Sequence, residues 1–406
     1  MTLSHSMAPR TPRASTTRLA LVAAIAATLV AGCGSTNSHS ASGSHTTTSA
    51  AAATSAAAAS TSTGFTSQGF ASGIAITHAT PGGKTPVNQP DDVTKLGDHI
   101  FVAFQNGVGP QGEATVKGNQ GAGNRDSTIV EFSTSGSPVA RWDVAGHVDG
   151  LTADTANGQV AVSANEDGNA RLYMVAPGNP QPTAYRLPSL PNNGGFDAVS
   201  FYHGRMLISA SAPGTSGTAA PQASYPAVYV VSLNASAHTA SVRGLFGDEA
   251  TAKNANSGAK GTVRLALVDP DSNAVLPTAA PRFGGQFEVT SQGDYREIFV
   301  ADSSGKQLST LKLSQSIDDS AWASNASDIL YVTDGSSDLI YKITGPFKPG
   351  SEIVGVTPCD AGNAPAACPT PRFPSNYLGQ VDQSTGAVTK FALSTSINPA
   401  GLLFVP

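Results

Sequence analysis

The sequence predicts an all-β fold that is assembled from a repeated unit of four short antiparallel strands. Three observations support this prediction. The 406-residue chain contains 42 glycines and 27 prolines, and only 13% of its residues are charged; this composition is typical of many tight turns between short strands. Alternating apolar segments recur in groups of three, and a motif with an acid or amide ahead of a short apolar step recurs with them. No long stretch of the folded region shows helical periodicity.

The recurring strands follow one order along the chain. Each group opens just after a polar or glycine turn, with "HIFVAF", "QVAVSA", "RMLISAS", "QFEVTS" and "DILYVTDG". A second strand follows in each group, namely "STIVEF", "ARLYMV", "AVYVVSL", "REIFVA" and "LIYKIT". A third comes after a turn, namely "PVARWDV", "PTAYRL", "ASVRGL", "QLSTLKL" and "SEIVGV". Apolar alternation bounded by Ser, Asn, Asp and Gly is typical of strands and hairpins.

The recurring acidic motif gives the period of the repeat. It appears as "QPDDVT", "HVDGL", "GGFDAV", "DSNAVL" and "IDDSAW". Asp149 and Asp197 are 48 residues apart, and Asn273 and Asp319 are 46 apart, while the larger gaps contain inserts. A period of about 40 to 50 residues with four strands per unit predicts a β-propeller.

Two segments resemble known propeller families. "ILYVTDGSSDLIYKI" and "IFVADSSGKQL" are similar to the second and third strands of six-bladed NHL, YncE and SMP-30-like propellers. The resemblance covers most of residues 70–406 and includes no family-specific catalytic motif. Five units are clear. We expect the sixth to combine "NYLGQVDQSTGAVTKFAL" and "NPAGLLFVP" with the N-terminal "SGIAITHAT", which would close the ring and remove free sheet edges; a count of six or seven blades stays open here.

The N-terminus predicts export and anchoring. Residues 1–32 form a predicted signal peptide, with Arg10, Arg13 and Arg18 ahead of the apolar run "LALVAAIAATLVAG", which at 14 residues is too short to span a membrane comfortably. The run ends in "LVAGC", which resembles the lipobox of bacterial lipoproteins. That resemblance implies palmitate or another acyl chain on Cys33 and attachment to the extracytoplasmic face of the cell membrane. The alternative is an ordinary cleaved signal that leaves Cys33 free.

Composition divides the remaining chain into two parts. Residues 33–69 are almost all Ser, Thr, Ala and Gly, and they offer too little apolar surface to offset the entropy of ordering them. We therefore expect a disordered tether there, followed by a propeller domain over residues 70–406.

Charge excludes some classes of partner. All 28 acidic residues lie beyond the signal, whereas three of the 23 basic residues lie within it, so the mature chain carries a formal charge of −8. Nucleic acid is therefore excluded as an expected partner, and so is a broad electrostatic contact with anionic lipid. We expect a monomer that meets the membrane through its lipid anchor and recognises an envelope protein or a small-molecule ligand.

The repeated acids define the candidate site. The innermost strand of each propeller blade lines the central channel, so one acid or amide from each of five blades should gather near one mouth; these are Asp91, Asp149, Asp197, Asn273 and Asp319. Oxygen ligands of this kind suit calcium or another divalent cation. Alternatively, each side chain caps its own loop or accepts a hydrogen bond from a neighbouring blade. His147 could join either arrangement, or it could be a solvated loop histidine, which we expect.

The last two cysteines predict a disulfide. Cys359 and Cys368 lie close together in the Pro- and Gly-rich stretch "TPCDAGNAPAACPTP", and an exported chain with an even number of cysteines favours pairing. Closing so short a loop would contribute roughly 2 to 3 kcal/mol.

Two classes of function remain. The first is a membrane-anchored binding or scaffold propeller. The second is a divalent-cation-dependent hydrolase or lactonase, which the SMP-30-like resemblance permits and in which the channel acids would hold the cation. The sequence favours binding, because no general base, no Ser–His–acid set and no other catalytic residue can be identified beside these acids.

Overall fold

The computed structural model describes residues 60–62, 64–211, 225–358 and 376–406. Strands account for nearly all of the regular structure in these ranges. Cys33, Cys359, Cys368 and the predicted signal peptide lie outside the described residues. The first described strands are β1 (Ser60–Ser62), β2 (Phe65–Ser72), β3 (Thr77–Thr80) and β4 (Gly83–Pro86).

Blades 1 to 3 are meanders of four antiparallel strands, each in chain order from the inner to the outer strand. Blade 1 contains β5 (Pro90–Leu96), β6 (His99–Phe104), β7 (Asp126–Phe132) and β8 (Pro138–Ala145). Blade 2 contains β9 (Val148–Asp154), β10 (Gln159–Ala164), β11 (Arg171–Val175) and β12 (Thr183–Tyr185). After a 3-10 turn at Pro191–Asn193, blade 3 contains β13 (Val199–Tyr202), β14 (Arg205–Ser209), β15 (Pro226–Asn234) and β16 (Thr239–Gly247).

Blade 4 is widened by an insert at its outer edge. The insert forms β17 (Thr251–Asn254) and β18 (Thr262–Arg264). The blade itself contains β19 (Pro270–Val275), β20 (Phe287–Ser291), β21 (Arg296–Val300) and β22 (Leu308–Lys312). Strand β17 runs parallel to β22, so blade 4 becomes a six-stranded sheet.

The last two blades exchange strands. The chain continues through β23 (Ile317–Trp322), β24 (Ile329–Asp334), β25 (Leu339–Thr344), β26 (Glu352–Val356), β27 (Tyr377–Asp382), β28 (Ala387–Lys390) and β29 (Leu402–Val405). Blade 5 has the order β23-β26-β27-β28, and blade 6 has the order β29-β24-β25-β2-β1. The chain therefore leaves blade 5 after its inner strand, builds the middle of blade 6, returns to finish blade 5 and ends inside blade 6.

The inner strands form a closed ring. Each inner strand contacts the next in the order β5, β9, β13, β19, β23, β29 and back to β5. The predicted all-β propeller of six blades with four antiparallel strands is confirmed. An N-terminal strand does complete the last blade, which leaves no open seam between the two ends of the propeller chain.

The strand exchange corrects the assignment of the last two units. The fifth predicted unit is divided, because the hairpin β24–β25 pairs with β29 and β2 rather than with β23 and β26. The hairpin expected in the last blade, β27–β28, belongs to blade 5. The strand that completes blade 6 is β2, which lies mostly in the stretch assigned to the tether, whereas "SGIAITHAT" contributes to the separate hairpin β3–β4. Strand structure thus begins upstream of residue 70.

Apolar side chains fill the spaces between blades. Six buried clusters are present among the described residues, and each is shared by two neighbouring blades. Between blades 5 and 6, for example, Ile353 and Leu378 pack with Leu330 and Ile343. Because the apolar area removed from water lies between blades, burial stabilises the ring as a whole. Across the described ranges, we find no helix with the length and apolar character needed to cross a membrane.

Candidate functional site

A β-bulge near the start of the inner strand places an aspartate at the central channel. In blades 1, 4 and 5, two residues of the inner strand lie opposite one residue of the second strand, and blade 2 shows the same shift in register. The first bulge residue is Asp91, Asp149, Asp271 and Asp318 in these four blades. Bulges often redirect a side chain beside a functional site, and here all four lie along one cavity.

Blades 3 and 6 hold the same position by backbone hydrogen bonds. In blade 3 the Asp197 N–H donates to the Ser209 carbonyl, and the Ser209 N–H donates to the Ala198 carbonyl. In blade 6 the equivalent pair runs from the Ala400 N–H to the Thr333 carbonyl and from the Thr333 N–H to the Gly401 carbonyl. Five blades therefore present an aspartate at one structural position, and the sixth presents alanine.

These aspartates face a central cavity of about 560 Å³. The described residues that line it include no lysine or arginine, and eight carboxylic acids are among them: Asp91, Asp92, Asp149, Glu166, Asp197, Asp271, Asp318 and Asp319. Such an excess of acid without basic side chains favours positively charged occupants.

The predicted site residues lie together along this cavity, but they do not include every acid at the bulge position. All six predicted residues, Asp91, Asp149, Asp197, Asn273, Asp319 and His147, line the cavity. In blade 4 the equivalent acid is Asp271, two residues before Asn273, and in blade 5 it is Asp318, one residue before Asp319. The tandem acids of "IDDSAW" and the second acid of "DPDSNA" are the signals that could have pointed to them, but a bulge breaks the alternation that fixes which side chain faces inward.

The cavity environment disfavours ionised carboxylates. Burial, followed by repulsion from Asp149, raises the pKa of Asp91 to about 8, although attraction to His147 opposes the rise. Burial also raises the pKa of Asp319 to about 7, although hydrogen bonds from Leu402 and Ser320 oppose the rise. For Asp271 and Asp318, burial and then neighbouring acids raise the pKa well above 3.8. A bound cation would relieve this accumulated repulsion.

Residues just after these aspartates connect neighbouring blades. Asp92 Oδ2 accepts the N–H of Leu151 at 2.5 Å, and Asp319 Oδ2 accepts the N–H of Leu402 at 2.5 Å. The Asn273 side-chain amide donates to the Ala198 carbonyl at 2.6 Å. Asp319 therefore accepts an interblade hydrogen bond of the kind in the structural alternative, whereas Asn273 makes its interblade bond as a donor.

His147 is held in a fixed orientation at the cavity. Its Nδ1 donates to the Val108 carbonyl at 2.6 Å; because a carbonyl only accepts, this nitrogen carries the proton. Its Nε2 then faces Asp149 Oδ1 at 3.0 Å and Glu166 Oε1 at 3.8 Å. The side chain is only 14% exposed, so the expectation of a solvated loop histidine is wrong. Packing under the loop at Val108 buries it.

The three side chains His147, Asp149 and Glu166 form a potential metal-binding set. One ligand atom from each lies within 4.8 Å of the others, and Asp149 Oδ2 has no hydrogen-bond partner among the residues that the structure describes. Burial alone would lower the pKa of His147, but Asp149, Glu166 and Asp91 raise it to about 10. The protonated imidazole can therefore be the cation between these carboxylates. Alternatively, Nε2 can lose its proton and bind a metal ion. Glu166 has no recognisable signal in the sequence, because it follows β10 in a loop.

Comparisons with known proteins identify no family. No protein-family model matches the sequence, and no curated protein matches it. Similar solved structures include a Bacteroides caccae protein of unknown function, with 10% identity, coverage of 79% of this chain and 89% of that chain, and a TM-score of 0.41. The β-propeller domain of Cps50 (Swd1) from Myceliophteria thermophila has 11% identity, coverage of 80% and 77%, and a TM-score of 0.39. A candidate 6-phosphogluconolactonase from Bacteroides fragilis has 13% identity, coverage of 80% and 91%, and a TM-score of 0.40. Similarity at this level carries no information on what this chain binds or catalyses.

Proposed function

We propose that this protein is a binding propeller that holds a divalent cation, and through it a ligand, in its acidic central cavity. The observation that carries the proposal is the set of five aspartates at one register position of five blades, all facing a cavity whose described lining contains no lysine or arginine. Attachment to the extracytoplasmic face of the membrane through Cys33, and recognition of an envelope protein by the rim loops, are parts of the same proposal.

The donor set at His147 suggests which cations to test. A metal-binding histidine typically donates its other ring N–H to a carbonyl or carboxylate, which is the geometry at Val108. One imidazole with two carboxylates suits zinc or manganese, whereas the aspartates further along the cavity offer the oxygen ligands that calcium prefers. Zinc, manganese and calcium are therefore the appropriate probes.

The test measures metal binding by Asp149→Asn and Glu166→Gln variants. After chelation and dialysis, we expect the native chain to bind one of the three metals in calorimetry and each variant to bind it at least ~10-fold more weakly, because a charged ligand has been replaced by a weaker amide. Asp143→Asn is the control, because Asp143 is an acid of blade 1 that pairs with Arg141 away from the cavity. Equal affinity in the native chain and both cavity variants would contradict the proposal.

Hydrolysis is the second candidate function. It is favoured by the combination of an oriented histidine–carboxylate set with a cavity of about 560 Å³, because pockets of about 300 to 1,000 Å³ accommodate small molecules. If the second candidate is right, lactones or carboxylic esters should be hydrolysed in the presence of the bound metal and not by Glu166→Gln. Metal binding without turnover of such a panel would leave binding as the function.

A further inference from the structure

A second group of acids lies inside the protein and does not line the central cavity. Glu288 on β20 and Glu297 on β21 belong to blade 4, and Glu352 on β26 belongs to blade 5. All three residues are completely buried. One carboxylate oxygen from each lies within 4.8 Å of the other two, so the group connects two neighbouring blades at a single point.

Five of the six carboxylate oxygens in this group accept no hydrogen bond from a described donor. The Trp322 indole N–H donates to Glu288 Oε2 at 2.7 Å. Glu288 Oε1, both oxygens of Glu297 and both oxygens of Glu352 receive no hydrogen bond from any described residue. Among the described residues, Glu297 and Glu352 have only each other as possible hydrogen-bond partners, and a bond between the two carboxyl groups requires a proton. In the described ranges, no ion pair joins a basic side chain to any of the three.

This concentration of unpartnered oxygens needs a compensating positive charge. Buried polar groups in folded proteins nearly always have partners, and an isolated buried carboxylate is strongly disfavoured. Burial raises the pKa of all three carboxyls, and repulsion by Glu297 adds to the rise for Glu288 and Glu352. The charge must therefore be neutralised either by protons or by a cation, and these alternatives make different predictions.

We propose that Glu288, Glu297 and Glu352 bind one calcium ion between blades 4 and 5. Calcium–oxygen distances are about 2.4 Å, so oxygens separated by up to 4.8 Å can contact the same ion. Three carboxylates can supply up to six oxygens, which is within calcium's preferred number, while magnesium would retain several waters for which a fully enclosed site is unsuited. Trp322 orients Glu288 from outside the ligand set, as second-layer groups do at metal sites.

The ion would join blade 4 to blade 5 at the place where blade 5 is interrupted by the strand exchange. Strand β26 carries Glu352 and is the first strand after the chain returns from blade 6. A ligand that binds only the folded state stabilises that state. Calcium should therefore raise the melting temperature and promote docking of β26 during refolding.

The experiment uses the full chain in detergent, stripped with a chelator and refolded with or without calcium chloride. The test variant is Glu297→Gln/Glu352→Gln, in which the two amides can hydrogen-bond to each other without a proton or a metal. We expect it to fold, to bind one calcium ion fewer per chain than the native protein and to lose the calcium-dependent rise in melting temperature. Asp294→Asn is the matched control, because Asp294 is a partly buried blade 4 acid outside the cluster whose pKa burial raises to about 7; its calcium response should equal that of the native chain.

Terbium luminescence gives a second measurement that reports on location. Terbium(III) occupies calcium sites and emits when a nearby indole absorbs, and Trp322 contacts Glu288 directly. In a Trp142→Phe/Glu166→Gln background, Trp322 is the single tryptophan and the His147 set lacks one ligand, and terbium emission should persist. Because Trp322 also lines the central cavity, only the emission that depends on Glu297 and Glu352 is diagnostic of the glutamate site. Adding Glu297→Gln/Glu352→Gln should remove it. If emission and melting temperature are unaffected by the Gln pair, or if neither responds to the metals, the three glutamates share protons and the calcium proposal is wrong, whatever the result for the cavity.

Discussion

At the scale of single residues, adjacent positions of one bulge have different physical roles. In blade 5 the Asp318 side chain faces the cavity and accepts a hydrogen bond from the Gln292 amide at 2.9 Å. Asp319, the next residue, accepts the N–H groups of Ser320 and Leu402, and the latter bond links blade 5 to blade 6. The first position provides cavity charge, and the second holds neighbouring blades together.

This division of roles predicts opposite effects of two adjacent substitutions. Asp319→Ala should destabilise the metal-free protein by about 1 to 3 kcal/mol, because the buried Leu402 N–H loses its acceptor. Asp318→Asn keeps an oxygen for Gln292 and removes a repelling charge, so the free energy of unfolding should stay unchanged or rise. Urea unfolding in a chelator measures both. A larger loss for Asp318→Asn than for Asp319→Ala would contradict the division of roles.

At the scale of strands, blade 6 depends on segments that are distant in sequence. Its inner strand β29 is C-terminal, its middle hairpin β24–β25 comes from within the sequence of blade 5, and β2 is N-terminal. Phe65 at the start of β2 packs against Phe347 and Phe391 with ring centroids 4.9 and 4.8 Å apart. Phe70 packs against Tyr331 at 4.9 Å. The N-terminal strand therefore contributes both sheet pairing and aromatic packing.

A pair of truncations tests the contribution of β2. A chain that begins at Gly73 should lose at least ~3 kcal/mol of unfolding free energy, since deleting a single packed Phe side chain costs about that much, and it exposes the edge of β25 to aggregation. A chain that begins at Ser60 keeps β2 and is the control. Chemical denaturation and light scattering measure the two effects. Equal stability of the two chains would show that β2 is dispensable to the blade.

At the scale of the whole molecule, the propeller is closed by its two ends. Strand β29 supplies the inner edge of blade 6 and β2 extends its outer side, so both termini of the described propeller stabilise the same blade. The six interblade clusters then form an unbroken ring of apolar packing. Because β2 lies close in sequence to residues 33–59, the proposed lipid anchor would connect to the propeller at blade 6.

Cys33→Ala tests the proposed anchor. Stable attachment to a membrane requires more than one lipid signal, and in this proposal Cys33 carries the acyl chains. Without the thiol these chains are missing, so the variant should appear in the medium or remain as an unprocessed precursor. Cell fractionation with mass spectrometry of the N-terminus measures this, and Cys359→Ala, outside the lipobox, is the control. A fully processed Cys33→Ala chain that stays in the membrane fraction would contradict the lipoprotein proposal.

The sequence by itself was sufficient for the local architecture. Strand alternation and turn residues predicted the hairpins, their period predicted a propeller with a count of six or seven blades left open, and the repeated acids pointed to the central channel. These features follow from short-range rules, because turn chemistry and side-chain alternation act over a few residues. The same rules led to Asp91, Asp149 and Asp197, which line that cavity.

Only the tertiary structure decided which distant segments meet. The β24–β25 hairpin satisfies its local pattern in either blade, since every blade offers the same backbone edge, and packing against β29 and β2 settles the choice. In blades 4 and 5 another amide or acid, Asn273 or Asp319, follows the cavity aspartate within two residues, and at a bulge side-chain alternation does not decide between the two candidates. Glu166 lies in the loop after β10 and approaches His147 there, and Glu352 of blade 5 approaches Glu288 and Glu297 of the neighbouring blade 4. Such contacts depend on how sheets pack around the ring, and a pattern that repeats equally in every blade contains no information about that packing.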